Sequence, residues 1–266
     1  MLPRSLLNLI FFFGLWAIIW LPIFLVLTKF IDWQSDRSVN FQQKLILVIS
    51  LYSLVPWIVW LEIRLKGLSF GDLGLIWDSS LFISLGWGFL LSIATSLSIF
   101  SFESRCGLLT WNWHNRQRLL PLIVPILVLA LGISAIEELV FRGYVINILT
   151  LDYPYWLAAI ISSAIFAALH LIWERRETIP QIPGLWLMGI ILVMARWLDN
   201  DSLGLAIGMH SGWIWLLSCL DSAELIKYDR NDRQWITGIN RQPLAGVAGI
   251  SCLLLAGLCL WVLSVN

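Results

Sequence analysis

The chain has 266 residues, no net formal charge, 59% apolar residues and 13% charged ones, with a mean hydropathy of +0.83. A soluble globular chain is nearer half apolar and a quarter charged, so this composition excludes an ordinary soluble domain and points to a polytopic membrane protein. Zero net charge offers no basic surface to nucleic acid. The four cysteines, Cys106, Cys219, Cys252 and Cys259, contain no CxxC pair and so suggest neither a zinc site nor a redox couple.

Apolar runs long enough to cross a bilayer fall at about 5–28, 45–61, 81–100, 119–150, 155–173, 184–198, 203–220 and 243–263. The predicted fold is therefore all-α, a membrane bundle of about eight helices whose surroundings are the lipid bilayer. The first run is longer than a signal-peptide core and no small-residue cleavage site follows it, so it is expected to stay as a span. The sixth run, about 15 residues, is short for a crossing. No repeat, Gly/Ser linker or low-complexity tract divides the chain, which favours one membrane-embedded domain over 1–266.

The loops 29–44, 101–118, 174–183 and 221–242 hold twelve Lys and Arg, against three in the N-terminal segment and the loop 62–80. The positive-inside rule then makes those four loops cytoplasmic and leaves both termini on the opposite side. The loop Trp111-Asn112-Trp113-His114-Asn115-Arg116-Gln117-Arg118 mixes indoles with cations beside a span, which suits interfacial anchoring.

The fourth run is interrupted by Glu137, Glu138 and Arg142. Three unpaired charges near mid-bilayer cost on the order of 8–10 kcal/mol, about what fifteen aliphatic neighbours return. Such a helix has to be enclosed by protein, with its charges paired or facing a wet cavity. Glu138 and Arg142 are spaced i, i+4 with the acid first, the favourable order for an ion pair. Glu137 is turned about 100° away and has no partner at helical spacing.

Two of the three histidines also lie in apolar helices, His170 in the fifth run and His210 in the seventh. A rise of about 1.5 Å per residue puts Glu137 and His170 roughly 20 Å and 22 Å from the same end of antiparallel neighbours, whereas His210 comes out shallower. Small residues around His210 (Gly204, Ala206, Gly208, Ser211, Gly212) allow close helix approach. Two carboxylates and two imidazoles at one depth can activate water by general-base catalysis, bind a metal, relay protons in a transporter or simply fix helix registry. There is no HExxH, and His170…Glu174 has the spacing of a helix-end contact, so no metal is expected, with a mixed His/Glu zinc site as the alternative.

Glu137-Glu138-x-x-x-Arg142, then Phe166-x-x-x-His170, then His210 in a later helix resemble the motifs of the CPBP family, across roughly residues 119–220. That family includes intramembrane CAAX-processing endopeptidases and bacterial relatives linked to bacteriocin processing or self-immunity. The resemblance implies an eight-helix fold and hydrolysis of a membrane-associated protein or peptide by a glutamate-activated water, with no cofactor. It makes Glu137 the general base, assisted by His170, and Glu138 a second polar site group partnered by Arg142. His210 would stabilise the tetrahedral oxyanion, and Phe166 would support the site. The family's third motif usually reads His-x-x-x-Asn or Asp, and here the last position is Ile214. Two other functions stay open at this point, a non-proteolytic scaffold or immunity partner and a proton-coupled transporter.

Overall fold

A computed structural model describes residues 2–31, 41–172, 175–228 and 233–265 of the chain. The helices are α1 (Arg4–Phe30), α2 (Phe41–Tyr52), α3 (Val55–Leu65), α4 (Ser79–Arg105), α5 (Ile123–Leu149), α6 (Tyr155–Leu169), α7 (Ile182–Leu198), α8 (Gly204–Ser222) and α9 (Val247–Val265). Seven helical stretches among the described residues are long and apolar enough to cross a membrane. The chain is an all-α, multi-pass integral membrane protein. Of the loops predicted to be cytoplasmic, 101–118 is fully described, while 29–44, 174–183 and 221–242 fall partly outside the described residues. Glu174, the residue paired in sequence with His170, also lies outside them.

Two expected spans differ in detail. The run expected over 203–220 forms α8 but is not one of the seven, because it carries His210, Asp221 and several Gly and Ser. It tolerates that polarity because twelve of its nineteen residues are buried, with α4, α5 and α7 packed around it. By contrast, α1 buries only Ser5, Leu9, Phe12 and Trp16, and most of the rest of its surface is apolar. The sixth span is not short. Short helical turns from Arg175 lead into α7, giving a 24-residue stretch, Arg175–Leu198. Its charged beginning hid it from a hydropathy reading.

The α4–α8 contact is made by glycine. A Cβ on Gly204 would lie 2.5 Å from the Leu81 carbonyl oxygen, one on Gly208 2.0 Å from that of Leu85, and one on Gly212 2.8 Å from that of Phe89. Both series advance by four residues, so the two helices run parallel with backbones touching, as small-xxx-small packing requires. Gly88 returns the contact, since its Cβ would meet the Leu205 carbonyl oxygen at 2.3 Å.

Two short irregularities interrupt the spans near the acidic pair. Pro56 has no N–H for the Tyr52 carbonyl, so the second span opens between α2 and α3 and leaves Tyr52 as the last residue of α2. In α5, residues Leu139–Val145 form a π-helical stretch. Outside the helices, Leu109–Trp111 pairs antiparallel with Ile226–Tyr228, joining the loop after α4 to the segment after α8.

Gly208→Ala should therefore force α4 and α8 apart, at a cost of about 1–3 kcal/mol or more. Gly132→Ala, where an added Cβ meets nothing within 4 Å, should leave the protein as stable as before. Melting both purified variants beside wild type checks this, and equal melting temperatures would sink the account of the seam.

Candidate active site

The π-helical stretch begins directly after the acidic pair. Its wider turn releases carbonyls from the i→i−4 ladder, and such stretches recur at functional sites. The Phe141 carbonyl accepts from the Ser162 hydroxyl at 2.9 Å, and the Arg142 carbonyl accepts from Arg196 Nη1. Arg196, itself buried in α7, also donates to Asn147 Oδ1 at 3.0 Å and to the Asp201 carbonyl at 3.2 Å. A second guanidinium thus holds the irregular segment open.

Arg142 is fully buried. Its Nη1 donates to Glu138 Oε1 at 3.1 Å and its Nη2 to the Gly189 carbonyl at 3.2 Å. The Phe166 ring lies 4.5 Å from the guanidinium carbon, within cation–π range. Glu138 Oε1 is also 2.7 Å from His210 Nδ1. Glu138 Oε2 and Arg142 Nε have no hydrogen-bond partner among the described residues.

Glu137 is not without partners, contrary to the expectation from helical spacing. The Tyr52 hydroxyl donates to Glu137 Oε1, reaching it from a helix 85 residues earlier, where helical spacing gives no signal. Glu137 Oε2 is 3.6 Å from His210 Nε2, too far for a direct hydrogen bond. His210, expected to be shallower, therefore reaches both carboxylates, one through each ring nitrogen. The start of α8 is tied into the bundle, with the Leu203 N–H on the Gly74 carbonyl and Asp199 in the preceding turn accepting from Ser84.

His170 bonds within its own helix turn rather than to the acids. Its Nδ1 is 2.8 Å from the Phe166 carbonyl, and a carbonyl only accepts, so Nδ1 carries the proton. In the neutral ring Nε2 then presents a lone pair.

Glu137 and His170 sit between two cavities. One, of about 230 Å³, is also lined by His210, Trp213, Ile214 and Glu103. The other, of about 220 Å³, is also lined by Tyr52, Trp16, Phe141 and Val140. The structure thus gathers Glu137, Glu138, His170, His210, Arg142 and Phe166 into one site. Two further residues belong to it. Tyr52 holds Glu137, and the buried Trp213, which lines the first cavity, has an indole N–H with no partner among the described residues. Trp213 is one of seventeen Trp, so its identity alone gave no signal. No group of three or more His, Cys, Asp or Glu among the described residues is placed to hold a metal ion.

Residues 118–216 match the family model of the type II CAAX prenyl endopeptidases, described as Rce1-like. The likeness covers the motif-bearing part of the chain, 99 of its 266 residues. The match spans both glutamates, Arg142, Phe166 and both histidines, and leaves Tyr52 and Glu103 outside it. Comparison with curated proteins and with solved structures returns no match.

The two carboxylates of this site should respond differently to substitution. Arg142→Leu leaves Glu138 as an uncompensated buried charge and should cost roughly 3–5 kcal/mol of stability. Glu137→Gln keeps an oxygen to accept from Tyr52 and should melt close to wild type. Purified proteins melted side by side decide it: a large loss for Glu137→Gln with a stable Arg142→Leu would mean the roles are reversed.

Proposed function

We propose that this protein is a glutamate-dependent intramembrane endopeptidase acting on membrane-associated protein or peptide chains, such as prenylated CAAX-type termini. The observation that carries the reading is the asymmetry of Glu137. One of its oxygens is fixed by Tyr52, while the other has no hydrogen bond among the described residues and belongs to a side chain lining the same cavity as His170. A carboxylate held in this way is oriented to take a proton from water.

In the proposed reaction Glu137 Oε2 removes a proton from a water that His170 Nε2 orients by accepting its other hydrogen. The oxygen bonds to the scissile carbonyl carbon, and negative charge moves onto the carbonyl oxygen. The C–N bond then breaks as the proton held by Glu137 passes to the leaving amine. Glu138, compensated by Arg142, positions His210 beside Glu137. The oxyanion needs a donor, and we place that role on the Trp213 indole N–H. An indole nitrogen can only donate, this one has no partner among the described residues, its side chain lines the cavity, and the Ile214 side chain offers no polar atom. The reading requires no metal. It keeps the four basic loops on the cytoplasmic side and both termini opposite.

The test is cleavage of farnesylated CAAX-type and unprenylated peptides in liposomes. Wild type should cleave and Glu137→Gln should not, with exhaustive chelation leaving the rate unchanged. Normal cleavage by Glu137→Gln would exclude this mechanism, and loss on chelation with recovery on stoichiometric Zn²⁺ would make the site a metalloprotease. Trp213→Phe should lower kcat by about 10²–10³, and Ile214→Asn added to it should restore part of that loss. If Trp213→Phe cleaves as fast as wild type, the oxyanion donor lies elsewhere.

A further inference from the structure

Glu103, near the end of α4, is 2% exposed and has no ion pair among the described residues. Its Oε1 has no hydrogen-bond partner among the described residues, and neither does the Tyr228 hydroxyl. Both side chains line the cavity that holds Glu137, His170 and His210. The phenol is held neutral, its pKa raised by burial and then by the negative charges of Glu103 and Asp221. The hydroxyls about two turns earlier on α4 are engaged elsewhere. Thr95 bonds to the Leu91 and Ser92 carbonyls, while Ser96 bonds to the Ser92 carbonyl and meets Cys252. A buried acid left unanswered destabilises a fold and gives nothing back to packing, so its partner is to be sought in what fills the cavity.

The glycine seam fixes how far this point lies from the reacting groups. Gly208 meets Leu85 and Gly212 meets Phe89, which sets His210 level with the turn between those two residues. Glu103 is then about sixteen residues further along, roughly 24 Å at the helical rise. An extended chain at about 3.3–3.6 Å per residue spans that in roughly seven residues. The far end is flanked by the rings of Phe100 and Tyr228, and a carboxylate between aromatic rings suits a cation, through charge and through the ring faces. Tyr228, Leu217, Pro243 and Leu244 also line an outer polar groove of about 790 Å³, so the cation site stands where groove and cavity meet. The groove wall itself is mixed, with Asp221 and Glu224 beside Lys227 and Arg241, and does not choose a charge.

We infer that Glu103 and Tyr228 form a specificity subsite for a basic side chain, lysine or arginine, carried by the substrate roughly seven residues from the bond that is cut. The inference rests on the protease reading for what enters the cavity, but its test does not need cleavage. The full-length protein carrying Glu137→Gln, in detergent, is titrated with octapeptides of otherwise neutral, apolar sequence that bear Lys, norleucine or Glu at each position in turn. Binding is followed by intrinsic tryptophan fluorescence. At one position the Lys peptide should bind at least tenfold tighter than its norleucine counterpart, and the Glu peptide should bind weakest. Adding Glu103→Gln, which retains shape, should abolish the difference, and Tyr228→Phe should reduce it. Circular dichroism melts confirm that both variants are folded. Equal binding of Lys and norleucine peptides at every position, no binding of any peptide, or a Lys preference that survives Glu103→Gln would each overturn the inference. A Lys preference lost with Glu103→Gln in a protein that cleaves nothing would uphold the subsite and remove the protease reading instead.

Discussion

The interaction on which the rest depends is the buried pair of Glu138 and Arg142. Burying two ions costs several kcal/mol each after relaxation, and the pair recovers this only with good geometry and further hydrogen bonds. The surroundings supply those. Phe166 gives Arg142 a ring face, Gly189 gives it a carbonyl, and His210 gives Glu138 a second donor. Each demand fixes a helix. Gly189 can present its carbonyl because a Cβ there would lie 2.6 Å from Ser163 Cβ, so only glycine lets α7 come close enough to α6. A hydrophobic replacement of such a pair is often neutral or stabilising, which argues that the pair is kept for placement. What it places is His210, whose other ring nitrogen stands 3.6 Å from Glu137 Oε2.

The π-helical stretch answers the same constraint. In the wider turn the Phe141 carbonyl still accepts from the Ile146 N–H, and the Phe141 and Arg142 carbonyls also accept from Ser162 and Arg196, which ties the stretch to α6 and α7. Arg196 then links the stretch to Asn147 and to the turn after α7, where Asp199 accepts from Ser84 of α4 and from the first turn of α8. Charge pairing, helix irregularity and the seating of α8 are thus one connected arrangement.

What the sequence made legible is what has a local signal. The i, i+4 spacing of Glu138 and Arg142 foretold their contact, and the glycines at 204, 208 and 212 foretold close approach. Hydropathy outlined the bundle. Tyr52, Trp213 and Glu103 had no such signal, because their meaning comes from residues brought near by tertiary packing. The depth of His210 was misjudged because a count along the helix does not fix where the helix starts, and the start of α8 is anchored within the bundle through Leu203 and Asp199. The sixth span was cut short because Arg175, Arg176 and Glu177 lower its hydropathy, although the helical turns there run on into α7.

The helix that falls short of a span by hydropathy still carries two site residues, His210 and Trp213. α1 and α9 present apolar side chains outward and bury few residues, so lipid sets their composition. α8 is enclosed by other helices, so its composition answers to protein, and His210, Ser211 and a row of glycines are tolerated there. Polar chemistry within a bilayer requires such a shielded element, because every unpaired polar group facing lipid carries its full desolvation cost. Low hydropathy in the seventh run is therefore a consequence of its position at the centre, and the same position gives Trp213 and His210 a cavity to face instead of lipid.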